Sequence, residues 1–429
     1  MAPNDRSDVI LAGAGCAGLS MLWHLLSALG EQGNAGPWRI LVVDATIAPA
    51  DDRIWCFWGT AESPFADISC ASWSQLRVAY PRSTLRWRTV QAGSRCEGLG
   101  DQAYYCVRGA DYFHTIMSRA RRYGGVEFLE GAIESIDVHD SGASVVVDGR
   151  RFQARWGFQS VRLSPQDQAA ESRYALWQHF GGWEVELDDA TWPEPDVATL
   201  MDFNVPQADG LGFMYVLPFD ERHVLVESTV FGRRIWDAAE HDRLLQEYLS
   251  RHGVGSYRIV RRERGRVPMQ DRRFSQRWGQ HIFNVGTVGG MTKPTTGYTF
   301  QRIQAQARAL ATTLVVSGQP RPLQSCKPRY RLYDELLLEI LSDEPSWGLP
   351  IFSLLFARQP IERILRFLDE RSSIIDEARL FWSLPWSPFL VSLARRGGRW
   401  LDRFRERVRC STSASSHPVL PQAQPSDLP

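Results

Sequence analysis

The chain has 429 residues, 44% hydrophobic and 23% charged, enough to bury a sizeable core in two interleaved lobes. Its 49 basic and 49 acidic side chains cancel, so no long-range field draws the whole molecule to nucleic acid. The seven cysteines are odd in number, widely spaced and without a CxxC pair, which argues against a disulfide framework or a metal site and for a reducing cytoplasm. Residues 8–12 predict a short buried strand, 13–18 a tight turn, 19–29 a helix and 39–44 a second strand, a βαβ opening. With that start no secretion signal is predicted. Nowhere do 18 apolar residues run uninterrupted, so no spanning helix is expected, while attachment to a membrane surface stays open.

Gly13, Gly15 and Gly18 form GxGxxG between that strand and helix. Gly13 permits the turn, Gly15 lets backbone approach a pyrophosphate, Gly18 lets helix and strand pack closely, and the helix N-terminus faces the phosphates. Ala17, within the loop, belongs to the same expected site. Asp44, ending the second strand, would accept a ribose hydroxyl. The alternative is a plain strand-to-helix turn. A second patch at 286–290, with Gly286, Gly289 and Gly290, follows the apolar segment 282–285 and favours FAD over NAD as the dinucleotide. Segments 143–147, 214–218 and 224–231 are rich in β-branched and aromatic residues, as strands of a second sheet would be. From 301 onward apolar residues recur at helical spacing. Beyond Cys410 the chain lacks aliphatic anchors and is expected to be disordered.

Several motifs are recognisable in order. Residues 52–58, DRIWCFW, resemble the DRTWCFW signature of bacterial lycopene cyclases. Residues 178–184 resemble that family's QHFxGW segment, 201–203 its MDF motif, and 215–219 its YVLPFS strand, followed by a hairpin bearing Glu227. Residues 267–269 stand where the family has IPM, 289–300 read GGMTKPTTGYTF against its GGMTKPSTGYTF, and Arg329-Tyr330 with Tyr333-Asp334 resemble its RFxxYD element. The resemblance runs from about residue 8 to about residue 390.

It implies an α/β fold: a Rossmann-like FAD-binding domain of the glutathione-reductase/flavin-hydroxylase type, an interleaved β-sheet substrate domain and a helical C-terminal region. The expected units are 1–150 with 255–315 for the nucleotide, 151–254 for the substrate, 316–409 for the helices and 410–429 as tail. It also implies a lycopene β-cyclase, in which an acid protonates a terminal double bond, a neighbouring alkene attacks the cation, and proton loss leaves a β-ring. Reduced FAD would act without net redox, NAD(P)H would reduce it, and the partners would be a carotenoid polyene, the inner face of the cell membrane and other carotenoid enzymes. Rival readings are a cyclase of another prenyl chain, a flavin monooxygenase, or a non-enzymatic carotenoid- or flavin-binding protein.

Glu227 resembles the family's essential acid; its neighbours are apolar, and burial would raise its pKa. A salt bridge to an arginine is the alternative. Ser228 stands where several relatives carry a second acid. Asp202 is a candidate second carboxylate or a turn cap. Trp55, Phe57 and Trp58 are either pocket walls offering ring faces to a cation or plain core. Arg53 is assigned to the cofactor, Thr295 and Gly297 to the flavin with Tyr298 at the pocket, and Lys293 either to the phosphates or to solvent. Residues 378–394 read as an interfacial loop, or as a core helix, followed by Arg395, Arg396, Arg399, Arg403, Arg405, Arg407 and Arg409, suited to anionic headgroups.

Overall fold

The computed structural model describes residues 6–31, 38–49, 53–85, 88–162, 172–323 and 327–398. Strand Arg6–Ala12 pairs in parallel with Ile40–Asp44 on one side and Arg150–Gln159 on the other, and the helix Cys16–Glu31 crosses between the first two. This α/β unit grows to eight strands by adding Val126–Glu130, the hairpin Ile133–His139 with Gly142–Val147, and the pair Arg277–Trp278 with Ile282–Asn284. Leu22, Leu25 and Leu26 from the helix close one face of it with Val9, Leu11 and Val42 from the strands, all within a few percent of full burial. Helix Phe300–Ser317 packs alongside.

A second, seven-stranded sheet carries the pocket. Its order runs Tyr257–Gln270, Ala175–Leu187, His223–Gly232, Leu211–Pro218, Val197–Asp202, Gln75–Tyr80, Gly93–Gly98. The burial patterns of its inner strands are almost continuous rather than alternating, because helix Ala238–Arg251 covers one face and helices from the last third cover the other. Residues 143–147, expected in this sheet, instead pair within the eight-stranded one, and so does Arg150–Gln159, expected in the substrate unit. Conversely Gln75–Tyr80 and Tyr257–Gln270 belong to the seven-stranded sheet although they lie outside 151–254. Strand propensity names the conformation and not the partner, so pairing overrode the division read along the chain.

Helices Pro328–Asp343, Gly348–Arg358, Ile361–Leu368 and Ile374–Ser383 follow. Among the described residues no helix is long and apolar enough to cross a membrane. The tail 410–429 and the arginines from 399 onward lie outside the described residues.

Candidate functional site

The glycine loop is built as tightly as its spacing predicts. Gly13 has φ +110°, and a β-carbon on Gly18 would lie 1.8 Å from the Gly13 carbonyl oxygen, so these two positions are closed to any side chain. Gly15 is the reverse case, with nothing within 4 Å of such an atom. Its open side faces a cavity of ≈790 Å³ bordered also by Cys16, Ala17 and Arg53. Asp44 Oδ2 accepts from the Ala14 amide at 2.5 Å and Oδ1 from Ala45 at 2.7 Å, fixing the carboxylate at the loop. From the far side Gly286, at φ +69°, comes so close that a β-carbon there would meet Ala17 Cβ at 2.5 Å. Thus the two glycine elements converge beside one space, with a helix N-terminus and an acidic strand end, and this cradle fits a dinucleotide. Gly289 and Gly290 border a smaller adjoining cavity with Thr287 and Thr292.

The main cavity continues from that loop into the seven-stranded sheet, where Phe180, Leu200, Met201, Phe213, Tyr215 and Phe231 give it an apolar wall. Glu227 is set in this wall. It lines the cavity and keeps some accessible surface there. Burial, and after it the neighbouring Glu263, push its pKa well above the ordinary carboxylate range; the Thr229 hydroxyl, donating to Oε1 at 2.7 Å, opposes this. Among the described residues no lysine or arginine is paired with Glu227. The salt-bridge alternative therefore has no partner among the described residues.

Glu263 is the residue that sequence reasoning missed. It is 6% exposed, lines the same cavity, and has Oε2 3.1 Å from Arg261 Nη1. Arg261 in turn holds Glu184 at 2.7 Å, and Glu184 also receives Arg108 at 2.7 Å and His223 at 2.8 Å. Burial alone would raise Glu184, but the bonds from His223, Arg108 and Arg261 outweigh it and hold that carboxylate far below its usual range. Behind the sheet, away from the cavity, His241 Nδ1 lies 3.0 Å from Ser228 Oγ and its Nε2 lies 3.1 Å from His179 Nδ1; burial lowers the pKa of both imidazoles, His241 to about 4.

Other expected positions separate. Asp202 does not line the cavity: Oδ1 accepts from the Asn204 amide at 2.9 Å, capping a turn, and Oδ2 from the Tyr248 hydroxyl at 3.1 Å. Trp55 is at the cavity, stacked 6.0 Å from Phe300. Phe57 packs in the core between Tyr105 and Phe300, and Trp58 donates from Nε1 to Asp369 at 2.9 Å while its ring meets Tyr298 edge-on. Strand pleating sets Trp58 on the face opposite Trp55 and Phe57, which both stack against Phe300. Thr296, Gly297 and Tyr298 line the cavity, but Thr295 turns away to donate to Asp334 at 2.7 Å. Lys293 meets neither phosphate space nor solvent: it is 1% exposed and ion-paired to Asp334 at 3.1 Å and Glu370 at 3.6 Å.

Segment 378–394 is helical rather than a loop, with one helix ending at Ser383 and another running from 386 to 398 after the break at Pro385. Leu380 and Leu384 face the core. Ile374, Ile375, Trp382, Trp386, Leu390 and Val391 stand outward, between 45% and 73% exposed. Arg395 is ion-paired to Asp343 at 3.1 Å, and Arg396 to Glu335. Those two cations are thus engaged within the protein.

A family model described as "Lycopene cyclase protein" matches residues 8–394. A lycopene beta-cyclase of Paracoccus sp. is 27% identical over 411 residues, covering 89% of this chain and 95% of the relative. One from Pantoea ananas is 23% identical, covering 90% and 97%. Among solved structures, the flavin-dependent brominase Bmp2 superposes with TM-score 0.54 at 11% identity over 93% of this chain and 99% of its own. A geranylgeranyl bacteriochlorophyll reductase-like protein of Thermoplasma acidophilum gives TM-score 0.52 at 12% identity over 94% and 99%. At such identities the structural likeness establishes the fold alone.

Proposed function

The chain belongs to the lycopene cyclase family, and on that premise we propose that it converts the ψ end groups of lycopene to β-rings, towards γ-carotene or β-carotene, by acid-initiated cyclisation. The observation that carries this reading is Glu227, whose pKa burial pushes well above the ordinary carboxylate range, set in the apolar sheet wall of a cavity that begins at a dinucleotide-type glycine loop. Glu227 gives its proton to the terminal alkene carbon, forming a C–H bond and a tertiary cation. The neighbouring double bond attacks that cation and closes the ring. A ring C–H then releases a proton to the Glu227 carboxylate, so the acid is regenerated and substrate and product are isomers. Trp55, Tyr215 and Phe231 line the same cavity, where an aromatic ring face can steady a developing cation by on the order of 1 kcal/mol.

FAD is the cofactor proposed for the loop, held by Gly13, Gly15, Ala17 and Gly18, by Asp44 and Arg53, and by the patch at Gly286, Gly289 and Gly290. In its reduced form, with NAD(P)H as reductant, it would supply electron density that stabilises positive charge without net oxidation. The exposed apolar ridge of the last two helices is the surface proposed to rest on a membrane, from which a polyene would enter.

Expression in lycopene-accumulating cells, with pigments separated by chromatography, tests this reading. The wild-type chain should yield β-ring products and the Glu227→Gln variant at least ~100-fold less, with folding and flavin content kept, because Gln retains the size but not the transferable proton. Oxygenated pigments, unchanged lycopene from the wild type, or full activity in Glu227→Gln would each overturn it.

A further inference from the structure

Three strands of the seven-stranded sheet meet at Gly182. In the register, Gly182 pairs with Glu227 on one side and with Glu263 on the other, so the two glutamates flank a glycine in one row across the sheet. Strands separated by a third lie roughly 10 Å apart, a gap that an ordinary central side chain would fill. Gly182 leaves it empty. A β-carbon built there would sit 3.0 Å from Glu263 Cγ, 3.2 Å from Glu263 Oε1 and 3.4 Å from Glu227 Cβ. Both side chains therefore lean over the glycine from opposite sides. Glu263 Oε1 is buried without a hydrogen-bond partner once Thr229 is assigned to Glu227 and Arg261 to Oε2.

We propose that Glu227 and Glu263 form a carboxyl pair that shares one proton above Gly182, with Glu227 as donor to the substrate and Glu263 as the positioning residue that keeps the proton on it. A proton on Glu227 satisfies the orphaned Glu263 oxygen, and the repulsion between two neighbouring buried carboxylates disfavours the doubly ionised pair. Arg261 favours the negative charge on Glu263 rather than on Glu227. When Glu227 protonates an alkene the pair becomes doubly negative, beside the cation it has made, and recapture of a proton restores it.

On the Glu263 side stand Arg261 and Glu184, with Arg108 and His223 beyond them. On the other side of Glu227 within the sheet stands its register partner Tyr215, whose hydroxyl lies 2.9 Å from that of Tyr104. Burial raises both phenols well above their usual range, as it raises Tyr298, so they stay neutral. Cys56 and the cations Arg53, Arg264 and Arg266 also border the cavity.

This inference rests on Glu227 being the acid of the proposed cyclisation, and its test separates the two. The active form is protonated Glu227, so ring formation must fall as pH rises through the pKa of the pair. Glu263→Gln removes the like charge, and the alkaline limb of the pH–rate profile should move down by about one unit or more while flavin content is kept. A merely structural role would lower the rate at every pH and leave the limb in place, which overturns the proposal. Infrared spectroscopy, which needs no substrate, should show in the wild-type protein a protonated-carboxyl C=O band at neutral pH that disappears in Glu227→Gln. No such band in the wild type would overturn the pair, whether or not lycopene proves to be the substrate.

Discussion

Within the single GxGxxG motif, Gly15 and Gly18 should fail for different reasons. Gly15 has free space around it and an ordinary φ, so Gly15→Val should fold, with an unchanged circular dichroism spectrum, but lose its flavin because the new side chain occupies the pyrophosphate approach. Gly18→Ala would press on the Gly13 carbonyl at 1.8 Å and should lower thermal stability before cofactor is considered. Equal flavin content in Gly15→Val and wild type would remove the loop as the cofactor site. Both glycines were legible because their spacing is local. Glu227 was legible through the motif around it. Glu263 was not, because its contact with Glu227 arises from two strands pairing with a third, and no periodicity along one strand reports that. The available clue was the Gly181-Gly182 pair inside an otherwise bulky strand, since an interior strand glycine marks a close approach of something else.

At the level of elements, the helices Ile374–Ser383 and 386–398 divide their residues cleanly. Leu380 and Leu384 hold them to the core, while Trp382 and Trp386, with ring centroids 4.7 Å apart, are set outward beside Leu390 and Val391. Replacing both tryptophans by serine should leave folding and flavin content intact, because neither supports the core, and should weaken sedimentation with liposomes and turnover of membrane-delivered polyene. Undiminished liposome binding would remove this ridge as the membrane face. The same binding should depend only weakly on Arg395 and Arg396, which are committed to Asp343 and Glu335. The segment's apolar character was plain from sequence, but its two prolines suggested a loop where they allow two helices with a break between. The hairpin Ile133–His139 with Gly142–Val147 is the complementary case. The strand conformation of residues 143–147 was legible, but its sheet was not, because alternation and β-propensity carry no address.

The molecule as a whole is joined through Lys293. This cation belongs to the loop that brings Thr296, Gly297 and Tyr298 to the cavity, yet its partners Asp334 and Glu370 belong to the helical third of the chain. Lys293→Met should leave Asp334 buried without its cation and cost on the order of 3 to 5 kcal/mol, read as a lower unfolding temperature. Adding Asp334→Leu should recover much of that loss, since replacing both members of a buried ion pair with apolar groups is often nearly neutral. A double variant no more stable than the single one would show that the pair is not what joins the parts. The three-way meeting at Gly182 has a consequence for inheritance. A side chain at 182 would press on Glu263 Cγ at 3.0 Å and on its Oε1 at 3.2 Å, so a lineage that adds one there must shift the acid pair, and selection for the pair keeps 182 bare. Residues distant in the sequence would thus be passed on as one unit, and their joint variation among descendants would record when this acid was kept and when it was abandoned.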